Sequence, residues 1–498
     1  MEHFSHFIYS QAFWANIVKV LVVGGGTAGL ISATILKQYL NIQVDVVQSS
    51  KIGIVGVGEG STEIFLEYMK CVGIDHESLI RECDATYKSG IMFEGWTPKP
   101  YLHNVSPPFD NKYSQYRYVY AKQISENDPY VQSSTMWNNR ISKEYINRPD
   151  VAPFNQFHFN TFKLNSFLTS KCLSMGMQVF DDEIKEININ EDGNIVSVRG
   201  QERDYEYDFY IDSTGFKRLL IGKLGAKWVS FSKYLKMKAA VTFPTPDEND
   251  YNLWTLAKAM DSGWMFRLPV WGRYGNGYIY DTDYIDVDGA KKEVESLLGR
   301  EIEFGKEFYF DAGALEKPWI GNCVAIGLSS IFVEPLEASS IGSSIQQSFL
   351  LMNRLLGYTE SSRNSYNKSF TEMSLNIRDF IALHYITKKD NSEFWRDVSK
   401  IDLPDSLSSK LEHWKDNLPI MEDFSGITDY WMFNDAHHIV VMHGLGLFNT
   451  ESIKKQYFSL PNNVRNDAYN FIEKRKLSDI TMPTTTHKEH LRIIREVI

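Results

Sequence analysis

The chain has 498 residues, 43% of them hydrophobic and 14% aromatic, and carries a formal net charge of −11. That length exceeds one simple core and predicts two or three packed subdomains. The acidic balance and the lack of any basic run argue against a nucleic-acid partner.

Cys71, Cys83, Cys172 and Cys323 form no CxxC pair, which fits free thiols in a reducing compartment. The N-terminus lacks a basic start and an apolar signal core. The longest apolar stretch, Val20 to Leu36, is broken by four glycines, Thr27, Ser32 and Thr34, so it reads as strand, turn and helix instead of a membrane span. A soluble cytoplasmic protein without a membrane partner is expected.

In chain order, the β-branched run over residues 17–23 predicts a buried parallel strand. Gly24-Gly25-Gly26-Thr27-Ala28-Gly29 follows, then a helix from Leu30 to Leu40 and a strand over Val44 to Val47. Gly24, Gly26 and Gly29 have the GxGxxG spacing between strand and helix that a bound dinucleotide needs; a Gly-rich turn without ligand is the bland alternative. Gln48 stands where an acidic residue usually grips a ribose, and it can bond a hydroxyl only without charge assistance.

Residues 62–93 read as mostly helical, and 96–155, rich in Tyr, Pro, Asn and Ser, as long loops with short helices over a site. A helix is expected over Phe159 to Ser174. Alternating strands follow over Val179 to Ser213, with a turn at Glu191-Asp192-Gly193-Asn194. Residues 235–283 read as strand-rich, with Tyr274-Gly275-Asn276-Gly277 as a hairpin turn. Residues 341–498 read as mainly helical. His437-His438 lack a third ligand at a helpful spacing, so no metal site is expected.

Two distant stretches carry a more specific signal. One is Ile54-Val55-Gly56-Val57-Gly58-Glu59-Gly60-Ser61-Thr62, with Lys88 downstream in Ala85-Thr86-Tyr87-Lys88-Ser89-Gly90-Ile91. The other runs from Gly321 through Gly327-Leu328-Ser329 to Glu334-Pro335-Leu336-Glu337. With the Gly-rich loop, they resemble the flavin-dependent halogenases, the family that includes the tryptophan halogenases. The resemblance runs from about Val18 to Trp395 and takes in Arg378-Asp379-Phe380-Ile381-Ala382-Leu383-His384-Tyr385.

The resemblance implies an α/β fold. It consists of a Rossmann-like FAD-binding domain of the flavin monooxygenase/halogenase type, a substrate-binding sheet region and a largely helical C-terminal part. Residues 15–340 would form the FAD-binding box, with substrate-binding insertions at about 62–160 and 225–310; residues 341–498 would cap the pocket. FAD, used as FADH2, would meet Gly24, Gly26, Thr27, Ala28, Gly29, Gln48, Gly58, Asp212, Gly215, Gly327, Leu328 and Ile341. Asp212-Ser213-Thr214-Gly215 resembles the D-x-T-G of that group. The Gly-Asp-Ala of single-component hydroxylases is replaced by Gly327-Leu328-Ser329, which favours the halogenase branch.

In the family, reduced flavin and O2 oxidise a halide to hypohalous acid, which travels to a lysine and a glutamate matching Lys88 and Glu337. A lysine ammonium can hold and polarise the acid, and a glutamate can orient it and take the ring proton. Gly263-Trp264-Met265-Phe266-Arg267-Leu268-Pro269 resembles W-x-W-x-I-P, with Phe266 and Leu268 replacing two members. Trp264 and Phe266 could equally be core aromatics. After the glutamate the family commonly has Ser-Thr-Gly; here Ala338-Ser339-Ser340 follows, so Ser339 and Ser340 are the expected halide site. That change motivates an expected preference for bromide or iodide over chloride. His103 and Pro335 are expected in the substrate pocket. His103 could equally be a loop histidine bonded to backbone. The amino-acid-binding residues of tryptophan halogenases find no match in Tyr430 to His438 or in His443-Gly444-Leu445-Gly446, so a small free indole or phenol is expected as substrate. No second nucleotide motif is present, so a separate NAD(P)H flavin reductase would supply the cofactor. The resemblance leaves room for a homodimer. The rival readings are a flavin-dependent aromatic monooxygenase and a non-catalytic flavin-fold binding protein.

Overall fold

The apolar run Lys19–Val23 lies inside a six-stranded sheet because its residues are covered on both faces; Val20 to Val23 are buried. In sheet order the strands are Trp319–Ile320, Cys323–Ala325, Phe209–Asp212, Lys19–Val23, Gln43–Gln48 and Val179–Asp181. Neighbours are parallel except for the Trp319–Ile320 hairpin edge. The computed structural model describes residues 18–54, 59–104, 116–126, 137–148, 151–357, 359–424 and 432–496.

The register fixes one functional edge. Val23 pairs with both Val47 and Asp212, so the loops after three adjacent parallel strands leave the sheet side by side. Ligands of open α/β sheets sit at such carboxyl edges. The helix Thr27–Tyr39 then packs back on the sheet, with Gly29 to Leu36 buried. A Cβ on Gly29 would fall 2.2 Å from the Gly24 carbonyl oxygen, so only glycine allows this close turn.

A second, seven-stranded sheet has the order Phe308–Tyr309, Ala239–Pro246, Arg273–Tyr280, Gly263–Val270, Trp254–Ala259, Gly90–Glu94 and Tyr101–Asn104. It corrects three readings. Residues 86–88 and 90–94 are strands, not helix; helix is confined to Ile64–Val72 and His76–Glu82. Tyr101–Asn104, read as loop, is the edge strand of this sheet. Tyr274 to Gly277 lie inside the strand Arg273–Tyr280, and the hairpin turns instead at Trp271-Gly272, where Gly272 has φ +88°. The glycines inside that strand make room for neighbours. A Cβ on Gly275 would meet the Glu59 carboxylate at 2.1 Å, and one on Gly277 would meet the Phe266 ring at 2.3 Å.

Thr86–Lys88 pairs with Gln156–His158, while Gly90–Glu94 belongs to the large sheet. The chain changes partners at Ser89, whose N–H and hydroxyl both donate to the Leu253 carbonyl. Gly90 then pairs with Asn104 on the antiparallel edge strand so closely that a Cβ there would lie 2.2 Å from the His103 carbonyl oxygen. The C-terminal helices include Glu360–His384 and Asp435–Leu445. The last helix, His487–Glu496, returns to the strand of Lys88, where the Tyr87 N–H donates to His487 Nε2 at 3.1 Å. All four cysteines are free. Among the described residues, no helix is long and apolar enough to cross a membrane.

Gly90→Ala should lower stability by about 3 kcal/mol, the upper end for overpacking, because the atom to be displaced is backbone. Thermal unfolding of variant and parent measures this, and an unchanged midpoint would refute the close pairing.

Candidate active site

Lys88 ends a short buried strand and is itself only 1% exposed. Its Nζ donates to the Ser61 carbonyl at 2.7 Å. Ser61 is held in turn by the strand Gln156–His158: its N–H donates to the Phe157 carbonyl, and its Oγ accepts from the Phe157 N–H. Burial pushes the Lys88 ammonium down to about 8, against the opposing pull of Glu337 and Glu63. A lysine in this state is still mostly cationic at neutral pH and can give up a proton readily.

Glu337 is 2% exposed and follows Pro335 in a single tight turn. Both its oxygens lie 2.9 Å from His103 Nδ1, and Oε1 lies 2.8 Å from His384 Nε2, off the axis of a good hydrogen bond. Burial alone would raise its carboxyl; His103 and His384 overcome that and hold it well below the usual carboxylate range. Burial pushes the His103 imidazole down despite the carboxylate. An ionised Glu337 accepting from a neutral His103 is the arrangement consistent with both directions. His103 Nε2 faces His437 Nδ1 at 3.1 Å, and His437 Nε2 lies 3.7 Å from Glu63 Oε1. His384 Nδ1 donates to the Phe380 carbonyl at 2.8 Å, one helical turn back.

His103, Glu337 and His384 place three ligand-type atoms within 4.8 Å of one another. Their direct separations of 2.8 and 2.9 Å are hydrogen-bond distances. Ligands around a zinc at about 2.0–2.2 Å stand farther apart than that, so the cluster reads as a hydrogen-bonded network.

At the sheet edge, a Cβ on Gly24 would fall 2.2 Å from the Ser213 carbonyl oxygen, whereas Gly26 opens onto free space. The 13-residue helix Thr27–Tyr39 starts there without a side-chain cap, so its N–H groups face that space. Gly327, with φ +72°, lies against Ala28, and Gly215 has φ +68°. Gln48 packs against Gly25, where a Cβ would meet Gln48 Oε1 at 2.0 Å. This cradle fits the pyrophosphate of a dinucleotide. Asp212 does not present its carboxylate to it: that group is buried and accepts from Thr214, Leu220, Ile221 and Ser329. Gly58 lies outside the described residues.

Ser339, Ser340 and Ile341 open the 17-residue helix Ser339–Leu355, which also has no side-chain cap. Its positive end follows Glu337 directly, and Gly60 approaches Ala338, where a Cβ would lie 3.7 Å away. Ala338 adopts φ +53°, a left-handed conformation that glycine would occupy more easily. Leu328 is half-buried. Trp264 is buried and donates to Glu334 Oε2, which also accepts from Tyr385. Burial pushes Glu334 up to about 7. The half-buried Phe266 packs on Gly277. Neither aromatic lines the cavity next to Glu63.

That cavity, of about 310 Å³, is lined by Thr62, Glu63, Ile64, Glu67, Asn155, Gln346, Met432 and Asn434. Asn376 positions its C-terminal wall by accepting from the Met432 and Phe433 N–H groups. The structure thus unites Lys88, Glu337 and His103 and adds Glu63, His384 and His437, which motif reading had not assigned. His384 stood in a matched motif, and His437 in the unmatched C-terminal stretch. Glu63 directly follows the matched stretch that ends at Thr62, the one local signal that could have found it.

The family model for tryptophan halogenase matches residues 19–457. A 7-chloro-L-tryptophan 6-halogenase, KtzR of Kutzneria sp. (strain 744), is 29% identical over 454 residues, covering 81% of this chain and 86% of the relative. The tryptophan 7-halogenase RebH of Lentzea aerocolonigenes is 27% identical over 484 residues, covering 87% and 90%. The solved structure of a tryptophan halogenase from Shewanella frigidimarina NCIMB 400 superposes with a TM-score of 0.87 at 24% identity, covering 97% of this chain and 98% of that one.

Because burial depresses the Lys88 ammonium to about 8 while an unfolded lysine titrates near 10.5, the folded state loses its proton first as pH rises. The penalty of burying the charge is full below pH 8 and fades toward pH 10.5. Relative to Lys88→Met, the parent should therefore gain on the order of 3 kcal/mol across that window, at about 1.4 kcal/mol per pKa unit. Denaturant melts of both proteins at pH 7 and pH 10.5 test it; a constant difference would sink the assignment.

Proposed function

The chain belongs to the tryptophan halogenase family, a family of flavin-dependent enzymes that halogenate aromatic substrates, and we propose that it halogenates a small free aromatic of indole or phenol type at Lys88 and Glu337. The observation that carries this reading is that a buried ammonium, bonded to the Ser61 carbonyl, feels a buried carboxylate that is itself held by His103. Such a pair costs several kcal/mol to keep dry, and a catalytic use explains its retention.

Gly24, Gly26, Thr27, Ala28 and Gly29 would hold the FAD pyrophosphate at the helix N-terminus, with Gln48 at the ribose and Gly215, Gly327, Leu328 and Ile341 near the rest of the cofactor. When bound, reduced FAD with O2 supplies the oxidising equivalent that turns halide into hypohalous acid. A separate NAD(P)H reductase provides the reduced flavin. The N–H groups of Ser339 and Ser340 receive the halide. The uncapped turn after the left-handed Ala338 favours bromide or iodide, which shed water more easily than chloride.

At the other end, Lys88 donates a hydrogen bond to the oxygen of hypohalous acid. A ring carbon attacks the halogen; the carbon–halogen bond forms and the oxygen–halogen bond breaks. The oxygen leaves as water, carrying a proton from the ammonium, and the ring proton passes to Glu337. His103 and His384 keep that carboxylate ionised and aimed. Thr62, Ile64 and Met432 exclude water from the ring's side of the cavity.

The test supplies purified protein with a flavin reductase, FAD, NADH, O2, one halide and a panel of indoles and phenols, read by mass spectrometry. A halide-specific mass shift is expected. Lys88→Ala should cut it by roughly 10²- to 10⁴-fold while NADH and flavin oxidation continue. Turnover should also fall as pH rises through about 8, where the ammonium is lost. Addition of one oxygen independent of halide would identify a monooxygenase instead. With chloride, bromide and iodide mixed in equal amounts, brominated or iodinated product should dominate; a chlorinated majority would refute the halide preference.

A further inference from the structure

We propose that the cavity beside Glu63 takes the ammonium group of an aromatic amine, so that the substrate class is an arylalkylamine anchored through Glu63. This rests on the halogenase reading and narrows its substrate.

The cavity's volume of about 310 Å³ suits one small bicyclic ligand. Its described lining contains two carboxylates, Glu63 and Glu67, and no lysine, arginine or histidine. Glu67 is exposed and paired with Lys70 at 2.8 Å, so it contributes little. Glu63 is different. Its side chain is 34% exposed, its Oε2 is buried without a hydrogen-bond partner, and its Oε1 lies 3.7 Å from His437 Nε2, too far for a hydrogen bond. Thr62, 5% exposed, also presents an unpartnered Oγ1. Two acceptors in one wall lack donors, and a buried acceptor without a donor costs on the order of 1–3 kcal/mol. A ligand with several N–H donors removes that cost.

The charges agree. Lys88 supplies the one ammonium facing both Glu63 and Glu337, and its Nζ is already committed to the Ser61 carbonyl. Burial disfavours charge on Glu63, but His437 and Lys88 lower its titration below the usual range, so it is ionised at neutral pH. The cavity's described lining offers Glu63 and Glu67 and no cationic side chain. An amine substrate would meet Glu63 with opposite charge, whereas a carboxylate-bearing one would meet it with like charge. Ile64 and Met432 give the ring an apolar wall.

The test is calorimetric binding of tryptamine and indole-3-propionate to the purified protein, without halide or turnover. Tryptamine should bind at least tenfold tighter, and Glu63→Gln should bring the ratio close to one. In the parent, raising the salt concentration should weaken tryptamine and spare indole, a readout that needs no variant. Indole-3-propionate binding as tightly as tryptamine, no tryptamine binding, or a ratio that survives Glu63→Gln would each overturn the proposal. Failure of the halogenase reading looks different: tryptamine would bind with this selectivity yet gain no halogen.

Discussion

One ammonium and one carboxylate taken out of water together, with a second carboxylate at the edge of solvent, are the constraint on which the site depends. Lys88 feels both Glu337 and Glu63, Lys88 in turn lowers Glu63, and Glu337 is set by His103 and His384. Neither buried charge would be tolerable alone. The histidines His103 and His384 make the arrangement stable by fixing Glu337 from two sides. Charge balance thus couples the lysine's strand, the turn at Pro335–Glu337 and two C-terminal helices into one unit.

The scaffold divides the chemistry. The carboxyl edge of the parallel sheet gathers the glycine loops that would hold the cofactor. The strand switch at Ser89 and the close pairing at Gly90 deliver Lys88 and His103 to a separate place. The helix Ser339–Leu355 spans the two, since its first turn follows Glu337 and its Ser344 lies near Gly327. An oxidant made at one end and used at the other is compatible with this layout, and the reacting ring then never has to approach the flavin.

Much of this was legible in the sequence, for physical reasons. A β-branched run followed by spaced glycines has few alternatives to strand, turn and helix, and the structure follows it to within a few residues. Lys88 and Glu337 were found from their neighbours, because a lone lysine or glutamate carries no signal. The strands over 86–94 escaped because a short, fully buried strand has no alternation to read. Gly275 and Gly277 looked like a turn, but the groups that require glycine there, Glu59 and Phe266, come from elsewhere in the chain. The Asp212 carboxylate is taken up by backbone and hydroxyl groups of Thr214, Leu220, Ile221 and Ser329, partners that the motif alone does not reveal. Glu63, His384 and His437 acquire meaning only from contacts across more than one element, which no local pattern encodes.

The pairing of His487 with the Tyr87 N–H has a practical side. The chain's final helix is one hydrogen bond away from the backbone next to Lys88. Arg495 adds a second tie, donating to the Ile80 carbonyl in the helix just before that strand. Anything fused to this end of the polypeptide, whether a purification handle, a fluorescent partner or a surface anchor, therefore pulls on the strand that carries the lysine.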